Sequence, residues 1–288
     1  MKPSKEKYLE AITKIVRFSP APRVLGKAMA LLSDPNSDVN EIAALIKTDP
    51  ALTADIIRGA NSAFYGAGTR VSSLDHAVQK IGFKESIRLL GLAVTHLLSA
   101  RDLGSYGIAA DDFWAESLFN GLFMEELART TQGADLDTAH TAGLLRFIGR
   151  LAINQSIKDL GGGLFWNGLM PLDAWENENV GFSQTHAGAL LLRSWNFAED
   201  TIQAVEWQNQ PDSVVSPNWL TLAMNFASSV VPQGMGLAFA ALATEYVAPS
   251  VSITPFVSRY GLTAEGTREI LDKTRRSFIS ISSKLYDY

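Results

Sequence analysis

Between residues 38 and 57 the apolar side chains recur at helical spacing. Ile42, Leu45 and Ile46 form one face, and Ala51, Leu52, Ile56 and Ile57 form the next. Asp38 followed by Glu41 reads as a capping box, and Asp49-Pro50 ends one helix and starts another, because Asp caps well and Pro is tolerated at the first helical position. "NSAFYGAG" follows as a turn in which Gly66 and Gly68 are free to take positive φ, and Ser73 opens the next helix. Helical spacing returns over 84–100, and "RDLGSYGIAADD" reads as a linker. Beyond it the pattern predicts helices over 113–129, 136–160, 172–178, 185–195 and 200–208, with several more to the C-terminus and a glycine-rich connection "GGGLFWNGLMP" after residue 160. No segment alternates like a strand, and no fixed period repeats. The expectation is an all-α chain of two packed helical bundles, residues 1–105 and 106–288.

An uncharged run from Ser213 to Thr244 tests whether the chain spans a membrane. Asn218, Asn225, Ser228, Ser229 and the Pro232-Gln233-Gly234 breaker divide it into pieces too short to span, so buried core helices are expected. The N-terminus scatters charge and shows no secretion signal. Cysteine is absent, which removes thiol nucleophiles, thiolate zinc sites and disulfides and fits a reducing compartment, so the cytoplasm is the expected location. At a formal charge of −5, general nucleic-acid binding is not expected, and the basic cluster in "DKTRRSFISISSK" reads as the solvated face of a last helix.

Candidate chemistry is sparse. The four histidines, His76, His96, His140 and His186, include no i,i+4 pair that would place two metal ligands on one helix face, and the first three read as structural or surface residues. Gly161-Gly162-Gly163 lacks the Lys-Ser/Thr of a phosphate loop and reads as a connector. In the same connector Phe165, Trp166 and Met170 either fold back onto the protein or form an exposed contact surface. The unusual stretch is "TAGLLRFIGRLAI", an apolar helix pattern carrying Arg146 and Arg150 four residues apart. Charges so spaced usually lie on an outer face, solvated or salt-bridged. Alternatively, a guanidinium can hold a phosphate bidentately, so an anion site at Arg146, assisted by Arg150, is the other reading.

"AGLLRFIGRL" resembles the signature helix of the HD superfamily of metal-dependent phosphohydrolases, approximately "AGLLHDIGKL". The metal-binding His and Asp of that helix fall on Arg146 and Phe147, and the usual Lys falls on Arg150. "FWAESLFNG" resembles the upstream helix, with Glu116 at a histidine position. "QTHAGALLLRSWNFAEDTIQAVEWQNQP" resembles a later segment of HD-GYP-like members, where His186 and Trp195 match while Trp207 and Gln208 stand at the paired histidines. Asn225 falls at the late Asp. A protonated guanidinium and a phenyl ring offer no ligand lone pair, so the resemblance implies a degenerate site with no metal and no cofactor.

The N-terminal segment sharpens the match. "LLSDPNSDVNEIAALIKTDPALTADIIRGANSAFYG" and "VSSLDHAVQKIGFKESIRLLGLAV" resemble the HDOD family of HD-related output domains in bacterial signalling, and the likeness runs from about Phe18 to Pro211. The resemblance implies a non-catalytic regulatory or scaffold domain. Its input is expected in trans, from a receiver, a kinase or a cyclic-dinucleotide enzyme, or from a small anionic ligand. Two alternatives remain open at this point: a nucleotide or anion sensor using the vestigial pocket, and a residual phosphohydrolase using His186 and Glu116.

Overall fold

The computed structural model describes residues 3–15, 24, 27, 31, 38–62, 69–82, 86, 103–231 and 254–286. Among these the regular structure is helical throughout, and the extended pairing is one isolated bridge, Leu103 to Ile108. The expected all-α architecture is therefore observed. The 63–68 part of the "NSAFYGAG" turn, the 84–100 helix except Ser86, His96 and the 232–244 part of the uncharged run lie outside the described residues.

The N-terminal helices are α1 (Lys5–Thr13), α2 (Val39–Ile46), α3 (Pro50–Ala60) and α4 (Leu74–Ile81). Their starts follow the capping chemistry: Asp38 accepts from the Asn40 N–H, Asp49 from Ala51 and Leu52, and Ser73 from His76. The expected linker is partly buried. Leu103 and Tyr106 sink into the core on a short 3-10 turn, Gly104–Tyr106. Then follow α5 (Ala110–Thr131), α6 (Leu136–Leu144), α7 (Ile148–Asp159), α8 (Leu172–Asn179), α9 (Gln184–Ser194), α10 (Glu199–Trp207), α11 (Trp219–Val230), α12 (Pro255–Tyr260) and α13 (Ala264–Tyr286). No helix among the described residues is long and apolar enough to cross a membrane.

The largest departure from the sequence pattern lies in "TAGLLRFIGRLAI". The single helix expected over 136–160 is broken at Leu145–Phe147, where three-residue turns replace the helical ladder: Arg146 N–H donates to the Gly143 carbonyl and Ile148 N–H to that of Leu145. The apolar period continues through the break, so periodicity alone could not show it. Arg146 thus leaves the helix axis at a corner, and its own carbonyl is free to accept from Gln208 Nε2 at 3.2 Å.

Two close backbone crossings set this corner in place. Gly143 lies against α5, where an added Cβ would stand 2.5 Å from the Asn120 carbonyl oxygen. Gly149 lies against α9, where a Cβ would stand 1.8 Å from the Gln184 carbonyl and 2.7 Å from the Gly188 nitrogen. Backbone cannot yield as a side-chain tip can, so Gly149→Ala should push α7 and α9 apart. We expect a loss of about 3 kcal/mol or failure to fold, read from the urea midpoint and the soluble yield.

Around these crossings the core is aromatic. Phe278 of α13 packs on Trp114 and Phe119 of α5, and Phe226 of α11 sits between Phe123 and Phe256. The helix α1 packs against α7 and α9, and Trp195 Nε1 donates to the Ile15 carbonyl at 2.9 Å. In α13, Ile270, Leu271, Thr274 and Phe278 face inward, while Lys273 and Arg276 are exposed, as expected for a solvated basic face.

Candidate functional site

The helix α5 brings Glu116 and Asn120 onto one face, four residues apart, and the α6–α7 corner delivers Arg146 and Phe147 opposite them. Arg146 is fully buried. Its Nε donates to Gln208 Oε1 at 2.9 Å, its Nη1 to Asn120 Oδ1 at 2.6 Å, and its Nη2 to the Ser228 hydroxyl. Gln208 is held in turn, donating to the Arg146 and Val205 carbonyls, and Asn225 Nδ2 donates to the Gln208 carbonyl at 2.8 Å. One guanidinium therefore ties α5, the α6–α7 corner, the end of α10 and α11 together.

Arg150, one turn into α7, is also buried and donates from Nη1 to Glu116 Oε2 at 2.9 Å. Phe147 lies between the two cations: its ring centroid is 4.8 Å from the Arg146 guanidinium carbon and 4.1 Å from that of Arg150. The π face gives both cations a favourable apolar neighbour. Burial pushes the Arg146 guanidinium down to about 9, with Glu116 opposing and Arg150 adding to the shift, so it remains a cation at neutral pH. The outer-face expectation for the two arginines is thus not what the fold produces. Both point inward because the broken helix turns the corner toward α5 and α10.

The remaining positions disperse. Trp207 is half-buried at the end of α10. His186 is about half exposed, its Nδ1 3.8 Å from Glu206 Oε1 and its ring beside Phe182, so it lies on the surface of α9 while Glu116 is buried. Of the eight positions singled out from the sequence, Glu116, Arg146, Phe147, Arg150, Gln208 and Asn225 converge. Asn120 and Ser228 were missed. Asn120 carried a signal, being a polar residue four positions after Glu116 inside the apolar stretch from Leu118 to Met124.

A second buried group adjoins Arg150. Glu176 of α8 accepts from Tyr106 Oη at 3.0 Å and from the Gln184 N–H at 2.7 Å, the latter at the start of α9. Burial raises its carboxyl to about 7 against the pull of that N–H, Arg150 and Tyr106, and burial likewise raises the Tyr106 phenol well above its ordinary value. The native state then holds a proton on Glu176 that the unfolded chain, with a carboxyl near 4.5, has lost. Stability from this group should be full below about pH 4.5 and fall by about 3 kcal/mol as pH rises through about 7. Glu176→Gln should flatten that slope in urea titrations run from pH 5 to 8, and an unchanged slope would exclude Glu176 as its source.

These residues do not fit the divalent ions of HD hydrolases. A guanidinium has no lone pair to give, and among the described residues no group of three or more His, Cys, Asp or Glu is arranged to hold a metal. In the connector, Phe165 and Leu169 are exposed, whereas Trp166 folds back and donates from Nε1 to the Met170 carbonyl. Trp166 thus follows the fold-back expectation, while Phe165 stays exposed.

The fold is all-α among the described residues, with a central helix broken at Leu145–Phe147. The chain belongs to the HDOD family, whose family model, described as HDOD domain, matches residues 19–211. Its fold is similar to that of the MmoQ response regulator from Methylococcus capsulatus str. Bath, at a TM-score of 0.64 and 21% identity over 88% of this chain and 97% of that one. It is also similar to a virulence factor from Campylobacter jejuni subsp. jejuni, at a TM-score of 0.64 and 17% identity over 95% and 99% of the two chains. An uncharacterized protein of Treponema pallidum (strain Nichols) is 23% identical over 207 residues, 67% of this chain. The chain spans 38% of the length of that curated relative.

Proposed function

We propose that this protein is a non-catalytic regulatory domain of a signalling system, acting by binding another protein, with an N-terminal unit of 1–105 and an HD-like unit of 106–288. The observation that carries the reading is the enclosure of Arg146. Its Nε, Nη1 and Nη2 each donate one hydrogen bond, to Gln208, Asn120 and Ser228, and full burial leaves its two remaining N–H donors no surface to offer a phosphate. The same enclosure weighs against the anion-sensor reading, and the surface position of His186 weighs against a residual hydrolase built on His186 and Glu116. Membership of the HDOD family and the likeness to a response regulator support a signalling role, with a receiver, a kinase or a cyclic-dinucleotide enzyme as the kind of partner.

The test combines two measurements on the purified chain. Phosphomonoesters and cyclic dinucleotides with added manganese should give no turnover, and the same nucleotides should leave the melting temperature unchanged. Turnover that vanishes in His186→Ala would overturn the non-catalytic reading, and a nucleotide-induced rise in melting temperature that Arg146→Ala abolishes would replace it with the sensor. For the partner, capture from the source cell should recover a signalling protein in stoichiometric amount, and a chain that stays alone would count against the proposal.

A further inference from the structure

The sequence holds two Asn-Gly pairs, Asn120-Gly121 and Asn167-Gly168, and the fold treats them in opposite ways. Such a pair has its own chemistry. Glycine has no Cβ to shield its backbone nitrogen, and that nitrogen is one ring closure away from the side-chain amide carbon of the asparagine before it. Asn120 is fully buried inside α5. Its Oδ1 accepts from Arg146 Nη1 at 2.6 Å and its Nδ2 donates to the Glu116 carbonyl at 2.8 Å, so both ends of the amide are held. Gly121 sits mid-helix, where its nitrogen belongs to the helical ladder, and a Cβ there would stand 3.2 Å from His140 Cε1.

Asn167-Gly168 forms the tip of the connector between α7 and α8, and both residues are exposed. The tip is braced. Trp166 N–H donates to the Ser105 carbonyl at 2.8 Å, and Trp166 Nε1 donates to the Met170 carbonyl at 2.9 Å. Within the tip, the Leu169 N–H donates to Asn167 Oδ1 at 3.1 Å, which folds the side chain back along its own backbone. Gly168 takes φ +78°, and apart from its chain neighbours no heavy atom lies within 4 Å of where a Cβ would stand. Among the described residues no backbone acceptor takes the Gly168 N–H. The hydrogen bond from Leu169 has two effects. It keeps Asn167 Cγ beside the Asn167–Gly168 peptide, and it draws electron density from the Cγ carbonyl, where an attacking nitrogen would place negative charge on oxygen.

We propose that Asn167-Gly168 is a self-modifying site, at which the chain's own backbone converts Asn167 to aspartate or isoaspartate. The Gly168 nitrogen gives its proton to solvent base and bonds to Asn167 Cγ. The Cγ–Nδ2 bond breaks, ammonia leaves, and a five-membered succinimide closes. Water then opens the ring. Addition at Cγ restores the ordinary peptide and leaves an aspartate, whereas addition at the Asn167 backbone carbonyl leaves an isoaspartate, with the main chain running through the side-chain carbon. Water is the one co-reactant, and no group is oxidised or reduced. Either product places a carboxylate between the exposed Phe165 and Leu169, so an apolar tip becomes a charged one, irreversibly. This goes beyond the regulatory reading above and does not rest on it.

The test incubates the full chain at pH 8 and 37 °C, folded in one arm and in urea in the other, before digestion and peptide mass spectrometry. In the folded arm the Asn167 peptide should gain the mass of an NH-to-O exchange, as a mixture of aspartate and isoaspartate, while the Asn120 peptide stays intact. In urea both should convert, which makes Asn120 a clock for the unrestrained reaction. If Asn167 is unchanged in the folded chain by the time Asn120 has largely converted in urea, the proposal is overturned. Aspartate without isoaspartate also overturns it, since that product pattern marks direct hydrolysis in place of ring closure. Gly168→Ala should slow the folded-chain reaction by about tenfold or more, because a methyl group crowds the nitrogen and strains a turn that needs positive φ. An unchanged rate in Gly168→Ala overturns the route through that nitrogen.

Discussion

Replacing Arg146 by methionine is expected to cost about 3–4 kcal/mol of folding stability, seen as a lower urea midpoint at unchanged slope. Methionine fills most of the volume but leaves Asn120 Oδ1, Gln208 Oε1 and the Ser228 hydroxyl facing an apolar side chain. Buried acceptors that lose a charged donor forfeit their desolvation with nothing in return, and three such losses accumulate at one point. Arg146→Lys should recover little of the loss, because a single ammonium cannot reach three partners spread around a planar fork. A near-neutral Arg146→Met would mean that the guanidinium does not hold the four chain segments together, and the structural reading of this residue would fall with it.

Glu116→Gln is expected to cost about 3 kcal/mol, because it leaves the Arg150 cation buried beside a neutral amide. The informative experiment is the cycle of Glu116→Leu and Arg150→Met. Removing either partner alone strands a polar or charged group in the core, whereas Glu116→Leu with Arg150→Met removes both. The double variant should therefore be more stable than the sum of the single losses predicts, by about 2–3 kcal/mol. Strict additivity would show that the two residues do not act as a pair. Glu176 gives the pair a second readout, since Arg150 favours its ionised form. Without Arg150 the stability lost with rising pH should shift to higher pH.

The helix starts were legible because their chemistry is local. Asp38, Asp49 and Ser73 each satisfy backbone N–H groups two or three residues on, a relation visible in any window of the sequence. Membership of the HDOD family was also legible, since it depends on motif residues and their spacing. The break at Leu145–Phe147 was not, because the apolar residues on either side keep the helical period through it. The convergence of Asn120, Gln208 and Ser228 on one guanidinium was hidden for a related reason. It depends on how α5, α10 and α11 are brought to the α6–α7 corner, which involves close backbone approaches such as those of Gly143 to α5 and Gly149 to α9 that no spacing rule encodes. His186 shows the converse: a residue that matches its motif can still lie on the surface, since a motif fixes a helix position without fixing what the neighbouring helix leaves uncovered.

By itself the sequence determined an all-α chain of HDOD type whose central motif carries arginine and phenylalanine, side chains unable to bind a metal, because ligand chemistry is a property of single side chains. Only the tertiary structure decided what Arg146 meets. The choice between solvent, an anion and the protein's own amides and hydroxyl rests on which groups three other helices bring within 3 Å of Arg146. Burial then makes that choice costly to reverse, since a desolvated cation must keep its partners or lose the fold.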